Sequence, residues 1–575
     1  MAPLSTYRLQ LQPVFGFDDA AAVAGYLRAL GVSHAYSSPY LQAAPGSTHG
    51  YDVVDHAAVN VELGGPEGHR RYCESLREAG LGQVLDIVPN HMAITGRENT
   101  WWWDVLENGP ASVYASYFDV TWDGPEEKLR NTVSMPILGD HYGRVIEAGD
   151  IRLQRDGGTF TLHYFDHVLP VAPRSLDGLL AAAAIEAESD DLAFIANAFG
   201  RLPLHTRTDT WSVRERHRDK EVLRRQLARL VEERPHIGAA IDRMVDLVNG
   251  DADATDALLE RQNYRVAFWR TAGRELDYRR FFDINTLIGL RVEDEQVFRD
   301  THGLILGWLD EGVVDGLRVD HPDGMRDPQG YFDRLADATG GAWVVAEKIL
   351  ESDERLPDQW PVAGTTGYDF AARVGGLFVD RTNEKAITEV YASFTGEATD
   401  YEQVVYQNKQ LVLREVLAAD VTRLTALFVE VCERNRRYRD YTRHELHEAL
   451  REVIACFPVY RSYVRCDDGV REVGDDDRRF IDDAIDHAKQ RRDDVDPELF
   501  DFLRSLLVLD VEGEPGGCES ELVMRFQQLT GPAMAKGVED TTFYTYTRFI
   551  ALNEVGNDPG RFGVGAQEFH AGNAE

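Results

Sequence analysis

The 575-residue chain is 43% hydrophobic and carries 98 acidic against 61 basic residues, a formal charge of −37. The apolar fraction excludes wholesale disorder, and the length predicts two to four domains or one elaborated barrel. The acidic balance, with only seven lysines among the basic residues, speaks against nucleic-acid binding, because phosphate contacts need a basic surface.

Alternation begins at once. Tyr7–Leu11 reads as a strand with no leader-like segment before it. Phe17-Asp18-Asp19 predicts a helix start, with the helix running from Ala20 to Leu30 and Gly31 as its stop. Val32–Tyr36 is a strand, Ser37–Tyr51 a loop, Pro66–Ala79 a helix ending at Gly80, and Gln83–Val88 an apolar strand ending in Pro89-Asn90-His91. Repeated strand–helix–strand units of this kind predict a parallel α/β fold. Regularity then breaks, and residues 93–280 read as an inserted subdomain. Its aromatic, mixed part (Trp101–Tyr164) precedes a charged helical part (Val213–Gly273) with Leu223, Leu227, Leu230 and Val231 at helical spacing. Apolar strands return at Val313–Asp320 and Trp343–Glu347, with a crossover helix over Tyr331–Thr339 between them. Residues 381–525 read as a helical insertion (387–394, 410–434, 443–456) in which Asp475-Asp476-Asp477 is expected to be a solvated face. The expected domains are thus 1–92, 93–280, 281–380, 381–525 and 526–575.

No apolar run reaches the length of a membrane span. The five cysteines, Cys73, Cys432, Cys456, Cys466 and Cys518, are odd in number and lack metal-ligand spacing. A cytoplasmic chain with reduced thiols is expected.

The chemistry concentrates at strand ends. Gly316-Leu317-Arg318-Val319-Asp320 and Trp343-Val344-Val345-Ala346-Glu347 each deliver a carboxylate from a buried run onto one rim, as retaining glycoside chemistry requires. Asp320 is the candidate nucleophile, with Arg318 two residues earlier on the same strand face to pair with it. Glu347, partly desolvated where it leaves the sheet, is the candidate acid/base. Asp86, Asn90 and His91 suit hydrogen bonds to sugar hydroxyls, and His49-Gly50-Tyr51-Asp52 offers an aromatic platform for apolar sugar faces. Each motif alone is equally well a rim salt bridge or a half-buried aromatic residue.

Taken together, Asp86-x-x-x-Asn90-His91, Gly316-x-Arg318-x-Asp320, Glu347 and Phe282-Asp283-Ile284-Asn285 resemble the α-amylase clan of retaining (β/α)8-barrel enzymes. Longer segments are similar to one family within it, the maltooligosyltrehalose synthases. These are Gly46-Ser47-Thr48-His49-Gly50-Tyr51-Asp52, Asp320-His321-Pro322-Asp323-Gly324, Ala346-Glu347-Lys348-Ile349-Leu350, Gly364-Thr365-Thr366-Gly367-Tyr368-Asp369-Phe370 and Met534-Ala535-Lys536-Gly537-Val538-Glu539-Asp540-Thr541.

The resemblance implies a TIM-barrel α/β fold with Asp320 as nucleophile, Glu347 as acid/base, and Tyr51, His91 and Arg318 around the attacked glucose. His49, Asp86, Asn90 and His321 are expected beside them, and Lys536, with Glu539 and Asp540, to hold the released sugar. It implies intramolecular transfer of a reducing-end α-1,4 linkage to α,α-1,1 on a maltooligosaccharide. No cofactor and no metal are called for. The expected setting is a monomer that acts with a trehalose-releasing hydrolase. No His-Asp strand end follows Asp369, so the sequence is expected to stop short of the family's third acid, its last barrel strands and its C-terminal β domain. A hydrolase or transglycosylase of the clan, and an inactive glucan-binding fragment, stay open as alternatives.

Overall fold

The computed structural model describes residues 2–351, 354–467, 469–511 and 516–574. The chain divides into two compact units. The first comprises Met1–His91, Phe281–Ile284 and Leu290–Glu575; the second comprises Met92–Arg280 and Asn285–Gly289.

The first unit is built on a parallel sheet: β1 (Thr6–Leu9), β2 (His34–Ser37), β3 (Gly82–Ile87), β4 (Gly316–Val319), β5 (Trp343–Ala346) and β6 (Gly364–Thr365). Spatial order follows chain order and every neighbouring pair is parallel, an α/β arrangement of the TIM-barrel type. The strands are short apolar runs because both faces are covered. Leu85, Ile87, Leu317, Val319, Val344 and Ala346 are all buried, in one cluster with Leu76, Phe298, Ile305, Phe332 and Leu335 from the crossover helices. Burying each such Leu, Ile or Phe contributes roughly 1.5–3 kcal/mol, and truncating one, as in Leu317→Ala, is expected to cost ~2–5 kcal/mol.

A second core in the same unit joins the helices Tyr401–Glu415, Ala418–Glu433, Arg443–Cys456, Asp475–Arg491, Pro497–Leu507 and Cys518–Met534 around Phe428, Leu450, Ile481, Leu503 and Phe526. The helix expected over 410–434 breaks in the middle. The N–H groups of Val416 and Leu417 both return to the Val412 carbonyl, at 2.9 and 3.0 Å, which closes one helix and turns Leu417 and Val421 into the core. The boundary expected at 525/526 falls inside the helix Cys518–Met534, whose Leu522, Phe526 and Leu529 belong to this core. Asp475-Asp476-Asp477 is only partly a solvated face. Asp477 is buried and accepts the Tyr463 N–H at 2.7 Å and the Gly474 N–H at 3.1 Å, so it caps the helix it begins.

The second unit holds an antiparallel three-stranded sheet (Ile151–Asp156, Thr159–Tyr164, His167–Pro170) and the parallel pair Val133–Leu138 and Tyr264–Phe268. The charged segment forms three helices, Thr210–Glu233, Pro235–Asn249 and Ala252–Leu259, and the chain past Asn263 becomes a strand rather than continuing helical to 273. Among the described residues no helix is long and apolar enough to cross a membrane, and all five thiols are free.

Candidate active site

Side chains along a strand alternate between faces, so register decides which of them meet. Arg318 pairs in register with Asp86 on β3, and Arg8 with Tyr36 on β2. Arg318 Nη1 donates to Asp86 Oδ1 at 2.7 Å and to Asp320 Oδ1 at 2.6 Å. Its Nη2 lies 3.3 Å from Glu347 Oε1. One guanidinium therefore joins three carboxylates from three adjacent strands. Burial works against the Arg318 charge, but Asp320, Asp86 and Glu347 together outweigh it and raise the guanidinium pKa above its ordinary value.

The oxygens are unequally used. Asp320 Oδ1 is held by Arg318, whereas Asp320 Oδ2 is buried and makes no hydrogen bond. Burial and the neighbouring Glu347 push the Asp320 carboxyl up to about 8, against the pull of Arg318. Glu347 Oε2 accepts the His321 backbone N–H at 2.8 Å, and its side chain keeps 22% of its surface open. His321 stands in the left-handed region, φ +44°, a strained backbone for a non-glycine residue. Lys348, next to Glu347 in sequence, turns the other way: fully buried, it lies 3.3 Å from Asp323 and 2.8 Å from Glu354.

Asp86 Oδ2 accepts from Arg8 Nη1 at 2.9 Å, the Tyr51 hydroxyl at 2.6 Å and the Tyr36 hydroxyl at 3.2 Å. Four donors on one fully buried carboxylate compensate its burial. Tyr51 is held at both ends, its hydroxyl on Asp86 and its carbonyl 3.1 Å from His91 Nε2. The loop before it turns at Gly50, φ +80°, where an added Cβ would meet the Pro39 carbonyl oxygen at 2.2 Å. His49 lies at the rim, half exposed, its ring stacked at 6.1 Å on Tyr51. Asn90 is buried, with its side-chain amide 3.4 Å from His91 Nδ1. His91, His321, Phe281 and Phe282 pack as one aromatic group, with ring centroids 4.4 to 5.1 Å apart.

Lys536 sits on a π-helical segment, Ala535–Thr542, that prolongs the helix Cys518–Met534, which carries Pro532 inside it; such segments are frequent at functional sites. It pairs with Asp283 at 2.7 Å and Asp540 at 2.6 Å, so it reaches the site through the Phe282-Asp283 segment and not through the carboxylate cluster. Glu539, one position before Asp540, is bonded by the Tyr460 hydroxyl, and burial raises its carboxyl to about 7, with Asp540 and Glu347 adding to the rise. Tyr368 faces Glu347, Arg318, Glu539 and Asp320, and burial raises its hydroxyl to about 12. The sequence expectation omitted Arg8, Tyr36 and Tyr368; the only signal for Tyr368 was the Gly-Thr-Thr-Gly-Tyr-Asp-Phe segment itself.

Two carboxylates flanking a guanidinium, one with an unbonded oxygen and one opening outward, suit nucleophilic and acid/base glycosyl transfer. Comparison with known proteins points the same way. The alpha amylase catalytic domain family matches residues 24–170. A Mycobacterium tuberculosis protein carrying the maltooligosyl trehalose synthase name is 33% identical over 99% of this chain and 60% of its own. The structure of maltooligosyltrehalose synthase from Arthrobacter ramosus is 35% identical with a TM-score of 0.75, covering 100% of this chain and 60% of that one. A Sulfolobus tokodaii structure of the same description is 28% identical with a TM-score of 0.69, over 100% and 60%. The chain thus spans about 60% of the length of the relatives it matches.

Proposed function

We propose, from its similarity to the maltooligosyl trehalose synthases and from its α-amylase-type catalytic segment, that this chain isomerises the reducing end of an α-1,4-glucan. The reading gives Glu347 the proton that goes to the terminal α-1,4 glycosidic oxygen while Asp320 Oδ2 attacks C1 of the glucose that contributes that carbon. The C1–O4 bond breaks, an ester to Asp320 forms, and one glucose is released. That glucose turns in place. Its anomeric hydroxyl then attacks the same C1, gives its proton back to Glu347, and expels Asp320. The product is a maltooligosyl chain ending in an α,α-1,1 bond, with no net gain or loss of atoms.

The observation that carries the reading is the division of labour on Arg318. It holds Asp320 by one oxygen, leaves Oδ2 without a hydrogen bond, and stands against Glu347 on its other arm. Burial first and the neighbouring Glu347 second raise the Asp320 carboxyl, against the pull of Arg318. Tyr51 and His91 are assigned to the attacked glucose, with Asp86 and Asn90 behind them and His49 at the entrance. His321, Lys536 and Glu539 are assigned to the released one, which must be kept from water for isomerisation to outrun hydrolysis.

The reading needs no metal and no cofactor, and takes the chain as a monomer. It places the reaction in the cytoplasm, in keeping with the free thiols, ahead of a separate trehalose-releasing hydrolase. Maltopentaose incubated with the chain tests it. Loss of reducing ends at constant chain length supports isomerisation; release of glucose or maltose, or no change, rejects it for this chain.

A further inference from the structure

We propose that Arg8, at the exit of β1, is a positioning residue of this site: it occupies Asp86 and the Tyr51 hydroxyl so that Arg318 keeps its second arm for Glu347. The inference rests on the glycosyl-transfer reading above. Arg8 Nη1 donates to Asp86 Oδ2 at 2.9 Å, and Nη2 donates to the Tyr51 hydroxyl at 2.8 Å. Its guanidinium lies 4.5 Å from the centre of the Tyr36 ring, whose own hydroxyl donates to the same Oδ2. Two residues on, Gln10 Nε2 donates to the Thr48 and His49 carbonyls at 3.3 Å each. The exit of β1 therefore touches both the buried carboxylate and the loop that carries His49 and Tyr51.

The consequence follows from counting acceptors. An arginine facing a free carboxylate prefers a two-pronged grip. With Oδ2 filled by Arg8, Tyr36 and Tyr51, Asp86 offers Arg318 only Oδ1, and Arg318 meets it with Nη1 alone. Nη2 is thereby left against Glu347, and Nη1 also serves Asp320. Removing Arg8 takes the one charged donor of three from Oδ2, leaving the two tyrosine hydroxyls, and favours a turn of the Arg318 fork toward Asp86, away from both reacting carboxylates. It also takes one of two cations from a group of three carboxylates. The charged and titratable groups facing Asp320 are Arg318, Asp86, Glu347, Tyr51 and Tyr368; Arg8 reaches it only through Asp86 and Tyr51.

The test is the pH dependence of covalent trapping at Asp320 by 5-fluoro-α-D-glucosyl fluoride, followed by protein mass and peptide mapping. The C1–O bond to Asp320 forms as the C1–F bond breaks and fluoride leaves without needing a proton, so the first step does not depend on Glu347 as an acid. Arg8→Met is expected to slow labelling about tenfold near neutral pH, with the loss shrinking at high pH as the acid limb moves upward. Arg8→Lys, which restores charge without the two-pronged reach, is expected to recover part of the rate. Tyr36→Phe, which removes one donor from the same oxygen, should show a smaller change of the same sign and serves if Arg8→Met does not fold. An unchanged rate and limb in these variants, with the wild type labelled at Asp320, overturns the role of Arg8 and leaves the reaction standing. A wild type that takes no label at Asp320 overturns the reaction and this inference together.

Discussion

Replacing Asp320 by Asn should make the protein more stable at high pH while abolishing its chemistry. In the folded chain the Asp320 carboxyl is raised from 3.8 to about 8, by burial first and Glu347 second. A raised acid binds a proton in the folded state that the unfolded state releases, so its contribution is fullest below the unfolded value. That contribution is lost as pH rises through about 8. At ~1.4 kcal/mol per pH unit the rise sets a ceiling of about 6 kcal/mol. Asn escapes that loss and still accepts from Arg318 through its amide oxygen, but places its NH2 where Asp320 Oδ2 has no partner, a buried unsatisfied donor that costs ~1–3 kcal/mol. The net expectation is a variant slightly less stable than the wild type at pH 5 and ~3 kcal/mol more stable at pH 9. In thermal melts this appears as a difference in Tm that grows by several degrees from pH 5 to 9 and then levels. A difference that does not change with pH would refute the claim that burial and Glu347 disfavour the charged form of Asp320.

Glu347→Gln should lower turnover of maltopentaose by roughly 10²–10⁴-fold yet still permit the first step with a glucosyl fluoride, a split seen by comparing the two substrates. Lys348→Met leaves Asp323 and Glu354 buried around an uncharged side chain and should cost ~3–5 kcal/mol; a midpoint within error of the wild type in urea unfolding speaks against it. At Gly537 an added Cβ would lie 2.6 Å from Lys409 Cγ and 3.0 Å from its Cα. Gly537→Ala should therefore destabilise by ~1–3 kcal/mol and raise KM through the turn that carries Lys536 and Glu539. Both effects are checked by melting and steady-state kinetics.

The sheet was legible because buried parallel strands announce themselves. Gln83–Val88, Val314–Val319 and Trp343–Ala346 are short and β-branched, the last two closed by Asp320 and Glu347, and the structure sets them side by side. The carboxylates at their ends meet for the same reason: neighbouring strands in register end on one rim. What escaped depends on lateral contacts that no local pattern encodes. Arg8 and Tyr36 are ordinary residues in ordinary strands until register lays them beside Asp86. Lys348 adjoins Glu347 in sequence, but successive residues leaving a strand point to opposite sides, and it serves Asp323 and Glu354. Tyr368 and Glu539 lie far from Glu347 in sequence, and only the packing of the π-helical turn brings Glu539 near it. Asp477 read as surface charge because composition cannot distinguish a helix cap from a solvated acid.

The central claim, that Asp320 is the atom donor to C1 with Glu347 as its proton partner, is tested most directly by the site of covalent labelling. After reaction with 5-fluoro-α-D-glucosyl fluoride, digestion and mass mapping should place a single glucosyl adduct on the peptide containing Asp320, and Asp320→Asn should take none. An adduct on another carboxylate, or equal labelling of the Asn variant, would contradict the account.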